Sequence, residues 1–266
     1  MTAFANIGES SAERVSEIRQ LIESINIQQS SEGLAVLDNA VEKMERESVT
    51  ISFVGQVKAG KSSLINALAG LGDLLPTEVN PWTAVITNLH FGHPMTEEYT
   101  AQFKLFSEEE WERMLNGDSE TRSMAEEFLP GFSSEVLEAQ VREMQENARA
   151  RLGDLYHHLL GKVHNFTRVD REILERYVCA GYAASAGDKV ANEGVGRLST
   201  ITKSAEVFLP ASPFCIPATV SDTPGINDPF LVRDEITTGS LKKADVFIVT
   251  ISAHQPLNPA DIALLK

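Results

Sequence analysis

Cysteine is scarce in this sequence: Cys179 and Cys215 are the only two among 266 residues, and neither stands at a metal-ligand spacing. Two isolated cysteines cannot form a disulfide framework or a cysteine-ligated zinc site. They are typical of proteins in a reducing compartment, where thiols stay reduced. We therefore expect two buried thiols in a cytoplasmic protein.

Long apolar runs are absent as well. No stretch reaches the roughly 18 consecutive apolar residues of a membrane-spanning helix. The opening residues, MTAFANIGESSAERVSEIRQ, carry acidic side chains and do not resemble a signal peptide. The sequence therefore predicts a cytoplasmic location, and any peripheral contact with a membrane would come from segments beyond this chain.

Basic residues are outnumbered. The chain has 23 Lys and Arg against 38 Asp and Glu, which gives a formal net charge of -15. Because phosphate backbones repel such a surface, this balance argues against a nucleic-acid partner and against broad attachment of this segment to anionic lipid. The 42% of hydrophobic residues is enough for the core of one large domain, with or without a subdomain.

Apolar periodicity predicts a helical N-terminal segment at residues 1–48. Apolar side chains recur every three or four positions from Val15 to Ile25, and again from Leu34 to Met44. Two interpretations remain open for this segment. It is either a helical pair that packs on the main domain or a neck-like element that awaits partners.

The central pattern is strand, glycine-rich loop, helix. Val49–Gly55 is a short apolar run rich in β-branched residues, and Ser62–Leu71 is typical of a helix with Leu64 and Leu68 on its apolar side. Further strands are predicted at Ala84–His90, Ala205–Leu209, Pro217–Ser221 and Asp245–Ile251. Buried strands of this kind predict an α/β fold with a mostly parallel sheet covered by helices.

A helical insertion is predicted between these strands. Ser107–Glu110 is a capping box that opens a helix, and longer helices are expected at Ser134–Leu160 and Thr167–Ala180. We interpret this insertion as a subdomain between two parts of a core sheet. The predicted division of the chain is therefore N-terminal helices 1–48, core 49–105, insertion 106–198 and core 199–266.

The loop after the first predicted strand carries the main chemical signal. Gly55-Gln-Val-Lys-Ala-Gly-Lys-Ser62 fits the P-loop pattern G-x-x-x-x-G-K-[ST], in the strand–loop–helix context that this motif needs. Its glycines let successive N–H groups turn toward phosphate oxygens, at the positive end of the following helix. Lys61 is expected to bind the β- and γ-phosphates, and Ser62 to ligate Mg²⁺. The predicted nucleotide-binding residues of this loop are Gly55, Gln56, Val57, Lys58, Ala59, Gly60, Lys61, Ser62 and Ser63.

A second motif, Asp222-Thr-Pro-Gly225, follows the predicted strand Pro217–Ser221. The pattern D-x-x-G is weak by itself, and it becomes strong when it follows a P-loop and a β-rich run. Asp222 is expected to hold Mg²⁺ through water, and the Gly225 N–H to contact the γ-phosphate.

The loop between these motifs offers three threonines, Thr77, Thr83 and Thr87. A threonine in such a loop closes over Mg²⁺ and the γ-phosphate when a triphosphate is bound. Thr83 is favoured because it stands just before a predicted strand, whereas Thr87 lies inside that strand. The predicted catalytic residues are Lys61, Ser62 and Thr83, and the predicted metal site is Ser62, Thr83 and Asp222.

Four runs together resemble the dynamin superfamily, in particular its bacterial dynamin-like branch: GQVKAGKSSLINALAG, LLPTEVNPWTAVIT, TVSDTPGIND and KKADVFIVTISAHQPLNPAD. The separation of Pro76 from Thr83 matches the leucine-proline pair that this family places before its switch threonine. The resemblance lies in two blocks and does not cover the helical insertion. It implies a substrate of GTP with GDP as product, dimerisation across the nucleotide site, and membrane remodelling by the full-length protein.

The sequence departs from the family pattern in two places. No N/T-K-x-D motif, which reads the guanine base, follows Ile251–Ala253 before Lys266, so the chain is interpreted as a C-terminally truncated GTPase domain. Guanine specificity is therefore implied by the resemblance alone. In addition, Lys58 stands where eukaryotic dynamins carry a serine, so their dimer-linked cation chemistry is not carried over to this chain.

Ile226 stands where small GTPases of the Ras type place a glutamine that orients the attacking water. Since isoleucine cannot hydrogen-bond water, slow turnover is predicted for the monomer, with stimulation on self-association. Three alternatives stay open: a nucleotide-gated switch with negligible hydrolysis, an ATP-using P-loop relative, and a remnant that binds no nucleotide.

Overall fold

In a computed structural model of the chain, the described residues are 48–77, 84–93, 99–116, 134–179, 194–210, 212–225, 244–254, 256–257 and 261–262. The predicted N-terminal helices at residues 1–48 lie outside this part of the chain, apart from Ser48. The strands are β1 Val49–Gly55, β2 Thr87–Phe91, β3 Ala101–Leu105, β4 Val163–Phe166, β5 Thr202–Leu209, β6 Ala218–Asp222 and β7 Val246–Thr250. The helices are α1 Lys61–Ala69, α2 Glu108–Asn116, α3 Ser134–Leu152, α4 Leu155–Leu159 and α5 Arg171–Val178.

The seven strands form one sheet in the order β4-β3-β5-β2-β6-β1-β7. β1 pairs in parallel with β6 and β7, and β2 pairs in parallel with β5. The β2–β6, β3–β5 and β3–β4 pairs are antiparallel. The predicted α/β class is confirmed. The pairs that β1 makes are parallel, and the rest of the same sheet combines parallel and antiparallel pairs.

β1 occupies the middle of the parallel part. Its last four residues, Phe53 and Val54 among them, are buried, as expected for a strand covered on both faces. Strand β2 alternates instead: Leu89 and Phe91 are fully buried, whereas Asn88 and His90 are half-buried on the opposite face. At β2, one face of the sheet therefore carries apolar side chains and the other carries polar ones.

Two strands were not predicted, and one of them changes the description of the insertion. β3 buries Phe103 and leaves Lys104 exposed, so it alternates as a half-buried strand does. β4 lies within residues 106–198 and pairs with β3, so this segment is not wholly helical. Its four residues, VHNF, are too few and too exposed to give a strand signal.

The helical boundaries follow local chemistry. The predicted capping box is present at the start of α2, where the Glu110 N–H donates to Ser107 Oγ (3.2 Å) and the Ser107 N–H donates to Glu110 Oε2 (2.9 Å). The single helix predicted at Ser134–Leu160 is divided into α3 and α4, because Gly153 has a φ of 55°. A left-handed residue of this kind ends a helix.

The helices and the sheet share one hydrophobic core. Its members include Phe53, Leu89, Phe103 and Val207 from the sheet, and Trp111, Val141, Met144, Leu152, Tyr156, Leu174 and Tyr177 from the segment between β3 and β5. The inserted segment is thus packed into the same core as the sheet. The domain boundaries at residues 106 and 198 stay predictions.

Two predictions about apolar side chains were wrong. In α1, Ile65 is buried, but Leu64 and Leu68 are 37% and 57% exposed. These two leucines are four residues apart and therefore lie on the same helix face, which is turned away from the sheet. Cys179 is buried as expected, whereas Cys215 is exposed, because it lies in the turn that leads into β6.

Within the described residues, no helix combines the length and apolar character that crossing a bilayer requires.

Candidate nucleotide-binding site

The P-loop joins the end of β1 to the start of α1. Gly55, Lys58 and Gly60 have φ angles of 151°, 65° and 90°, and the Ala59 N–H donates to Gln56 O (3.2 Å) to close a turn. A left-handed conformation costs a non-glycine residue such as Lys58 about 1 kcal/mol. Alternation of left-handed and ordinary residues lets successive N–H groups converge on an anion. The loop therefore has the backbone of a phosphate site, with Gly60 at the N-cap of α1.

Lys61 is held inside this loop. Its side chain is buried, and Nζ donates to Gly55 O (3.1 Å) and to Gln56 O (3.0 Å). The ammonium therefore lies against the carbonyls that begin the loop. A bound phosphate would give it a stronger, charged acceptor.

Ser62 and Asp222 meet although 160 positions separate them in the sequence. Ser62 Oγ donates to Asp222 Oδ2 at 2.6 Å, and Asp222 is 1% exposed. Asp222 is the last residue of β6 and lies opposite Phe53 on β1, so the sheet itself fixes this contact. A hydroxyl and a carboxylate oxygen are ligands that Mg²⁺ prefers, so the donor set fits this cation.

The D-x-x-G turn packs directly on the P-loop. A Cβ added to Gly225 would lie 2.3 Å from the Val57 backbone nitrogen and 2.4 Å from its Cα. Gly55 is equally confined, since a Cβ there would lie 2.3 Å from Thr250 O. Both glycines are therefore required by close approach of the backbone, and Gly55 also by its positive φ.

Two buried threonines next to the site were missed by the sequence analysis. Thr223 Oγ1 donates to Phe53 O (2.7 Å), and Thr250 Oγ1 donates to Val54 O (3.3 Å). They tie the ends of β6 and β7 to β1 just before the P-loop. Thr223 falls on an unspecified position of D-x-x-G, and Thr250 belongs to no local motif.

Thr83 lies outside the described residues, but the residues that flank 78–83, Leu75 and Ala84, are both hydrogen-bonded. On one side, Asn66 of α1 donates from Nδ2 to Leu75 O (2.8 Å) and accepts from the Leu75 N–H (3.0 Å). On the other side, the Ala84 N–H donates to Val178 O at the end of α5 (2.8 Å). The predicted strand began at Ala84, whereas β2 begins at Thr87. The hydrogen bond of Ala84 to α5 explains this difference.

The other predicted site residues differ in their burial. Thr87 is the first residue of β2 and is fully buried, so it lies in the strand as predicted, whereas Thr77 and Ser63 are exposed. Lys58 is also exposed, at the outer side of the loop. Ile226 lies outside the described residues.

A small pocket lies beside the D-x-x-G turn. It lies between the D-x-x-G turn, the residues that follow Thr83, and α3. Its lining consists of Ala84, Val85, Ile86, Phe106, Met144, Ser199, Thr202, Lys203 and Pro224. Pro224 of the D-x-x-G turn and the residues that follow Thr83 therefore line one cavity together with Phe106 and Met144 of the inserted segment.

Across the described ranges, no cluster of three or more His, Cys, Asp or Glu side chains able to hold a metal ion occurs. The Ser62–Asp222 pair is accordingly the arrangement in this part of the chain that suits a divalent cation beside a phosphate.

Comparison with known proteins agrees with this geometry. The model of the dynamin family matches residues 51–266. Dynamin-like protein 1 of Campylobacter jejuni subsp. jejuni serotype O:23/36 (strain 81-176) is 23% identical over 229 residues, which cover 86% of this chain and 26% of that protein. A bacterial dynamin-like protein of Nostoc punctiforme (strain ATCC 29133 / PCC 73102) is 35% identical over 99 residues, which cover 30% of this chain and 14% of that protein.

Solved structures give the same fold. One chain of an oligomerised bacterial dynamin pair, described as a mechanism for the long-range sensing and tethering of membranes, has a TM-score of 0.54 and 19% identity. The match covers 100% of this chain and 37% of that chain, so the present chain spans well under two thirds of its relatives. Since the family model covers most of the sequence, the chain belongs to the dynamin family.

Proposed function

We propose that this chain binds GTP with Mg²⁺ and hydrolyses it slowly to GDP and phosphate, and that self-association accelerates the reaction. The observation that carries the proposal is the 2.6 Å contact between Ser62 and Asp222, beside a P-loop that already encloses Lys61. Membership of the dynamin family supports guanine as the base.

Binding begins at the P-loop. The loop amides and the first turn of α1 receive the phosphates, and Lys61 Nζ exchanges the carbonyls of Gly55 and Gln56 for phosphate oxygens. Ser62 and Asp222 would hold Mg²⁺, Asp222 through water, and Thr83 would close over it from its loop. Bound there, Mg²⁺ neutralises charge on the β- and γ-phosphates.

Hydrolysis then needs a positioned water. The water oxygen attacks the γ-phosphorus, the bond from this phosphorus to the β–γ bridging oxygen breaks, and the proton of the water passes to phosphate and solvent. The chain provides the backbone amides and Lys61 to stabilise the transferring group. Ile226 cannot orient the water, so we infer that a second copy, brought to the nucleotide face, completes the site.

The first experiment measures nucleotide affinity by fluorescence titration with labelled GTP and labelled ATP. Wild type is expected to prefer GTP. Lys61→Ala is expected to weaken GTP affinity by at least about tenfold, because one charge-assisted contact to phosphate is worth about 1.5–3 kcal/mol. Undiminished affinity in Lys61→Ala would contradict the proposal.

The same titration also distinguishes two of the alternative functions. A preference for ATP would favour an ATP-using relative. The absence of binding, together with the absence of any thermal shift on addition of GTP or ATP, would favour a remnant without nucleotide chemistry.

The second experiment follows single-turnover hydrolysis against protein concentration. The rate constant is expected to rise with concentration, because a partner copy is needed at the site. A slow rate constant that stays flat would favour a nucleotide-gated switch with negligible hydrolysis. A fast, concentration-independent rate constant would contradict the role of self-association.

Membrane remodelling is proposed for the protein of which this chain forms a part. Support comes from the solved dynamin pair, which is described as sensing and tethering membranes. The net charge of -15 argues that this segment itself does not attach to anionic vesicles. Co-sedimentation of the present chain with phosphatidylserine vesicles is therefore expected to be low. Strong binding would contradict the proposal that other segments of the protein contact the membrane.

A further inference from the structure

Asp261 lies outside the P-loop and D-x-x-G motifs, at the end of the last run that resembles the dynamin superfamily, yet it contacts the P-loop. It is 1% exposed, and its Oδ1 accepts a hydrogen bond from Gln56 Nε2 at 2.8 Å. The two residues are 205 positions apart in the sequence. Since burial of a carboxylate is costly without hydrogen-bond partners, the Gln56 amide is one of the groups that make this position tolerable.

Gln56 also takes part in the hydrogen bonds within the loop. Its carbonyl accepts both from Lys61 Nζ (3.0 Å) and from the Ala59 N–H (3.2 Å). The orientation of this peptide therefore determines where the ammonium lies and how the turn is closed. A glutamine side chain rotates freely unless something fixes it, and Asp261 fixes this one.

We propose that Asp261 is a positioning residue for the phosphate site. By holding the side chain of Gln56, it sets the peptide that carries Lys61 and prepares the loop to receive a triphosphate. The segment that follows β7 is thereby coupled to the P-loop. This inference rests on the proposed function, and the experiment below separates the two.

The test exchanges donor and acceptor. Gln56→Glu places two carboxylates against each other and is expected to weaken GTP affinity by more than about tenfold, since a hydrogen bond to a charged group is lost and repulsion is added. Asp261→Asn keeps an acceptor and is expected to have a smaller effect. The double variant Gln56→Glu/Asp261→Asn restores a donor–acceptor pair with the original net charge, and it is expected to recover most of the lost affinity.

Recovery is the decisive readout, because a merely structural role for either residue would give losses that add. Additive losses in GTP affinity overturn the proposal. Gln56→Leu removes the donor without adding charge, and an unchanged Kd for GTP in this variant overturns it as well, whether or not Gln56→Glu folds.

Gln102→Glu is the matched control. Gln102 Nε2 donates to Asn165 Oδ1 (3.1 Å) between β3 and β4, away from the P-loop, so this variant is expected to keep the wild-type affinity. If wild type binds GTP and Lys61→Ala does not, an additive Gln56/Asp261 cycle removes only the positioning role. If wild type binds no GTP, the proposed function fails and the role of Asp261 fails with it.

Discussion

At the scale of single residues, the nucleotide site depends on positions where no side chain fits. Gly225 touches the backbone of Val57, and Gly55 touches Thr250. The D-x-x-G turn, the P-loop and the end of β7 are consequently in van der Waals contact. A change in any one of them displaces the others, because packed backbone has little room to relax.

Gly225→Ala tests this directly. The added Cβ would lie 2.3 Å from Val57 N, so the P-loop or the turn must move, and GTP affinity is expected to fall by at least about tenfold through the loss of a charge-assisted phosphate contact. Labelled-GTP titration measures the change. Gly194→Ala is the control, since its Cβ would meet nothing within 4 Å. Equal affinity in the two variants would show that the contact has no role in binding.

Residues of the site could be predicted only where they belong to a short sequence motif. Lys61, Ser62 and Asp222 follow from two short motifs, and the structure places Ser62 beside Asp222, while their role as metal ligands stays a prediction. Asp261 and Thr250 could not be found in this way, because their roles depend on contacts across 205 and 196 positions. No periodicity or spacing reports such distant pairs in a single sequence.

At the scale of elements, α5 matters because its last residue, Val178, binds Ala84, the described residue that follows Thr83. The helix is capped by Asp170, whose Oδ1 accepts from the Ile173 N–H (2.9 Å), and ends at Val178, whose carbonyl accepts from the Ala84 N–H. Since the helix has only eight residues, its cap contributes a large share of its stability.

Asp170→Ala is expected to lower the free energy of unfolding by about 1 kcal/mol, because the N-cap hydrogen bond is lost. Urea unfolding monitored by circular dichroism gives the value. Asp154→Ala makes the same change at the N-cap of α4, where the side chain forms no cap hydrogen bond, and a smaller loss is expected there. Equal losses would mean that the Asp170 cap adds nothing to the fold.

Strands and helices were predicted well where they have a clear apolar pattern or a specific capping motif. β1, β5, β6 and β7 lie within a few residues of their predicted ranges, and the capping box places the start of α2. β3 and β4 were missed because short, half-exposed strands resemble loops in composition. The exposed Leu64 and Leu68 were assigned to the buried face because periodicity alone does not show which side of a helix meets the sheet.

At the scale of the whole molecule, folding favours the neutral form of two histidines. Burial, and then the neighbouring His90, lower the pKa of His93; burial, and then Lys162, lower the pKa of His164. His164 Nδ1 lies 2.6 Å from the Tyr177 hydroxyl, whose own pKa is raised by burial. Both histidines must be charged at acidic pH, and the folded state resists this more than the unfolded chain does.

The sign of the pH dependence follows from these lowered pKa values. The unfolded chain binds the protons first, near the ordinary histidine pKa of about 6.5, so stability is full above that pH and falls as the pH drops through the lowered values. The free energy of unfolding is expected to decrease less steeply over this range in His164→Gln. Urea titrations at several pH values measure the slope, with His158→Gln on the exposed side of α4 as control. A slope unchanged from wild type would contradict the assignment.

The bond from the Ala84 N–H to Val178 O makes one amide proton a reporter of the loop beside it. Backbone amides exchange with deuterium mainly when their hydrogen bonds open, and local opening is far more frequent than global unfolding. Deuterium uptake at Ala84 therefore records detachment of this loop from α5. Uptake within β5, at the fully buried Val207, records opening of the sheet, so the ratio of the two distinguishes a loosened loop from a loosened fold.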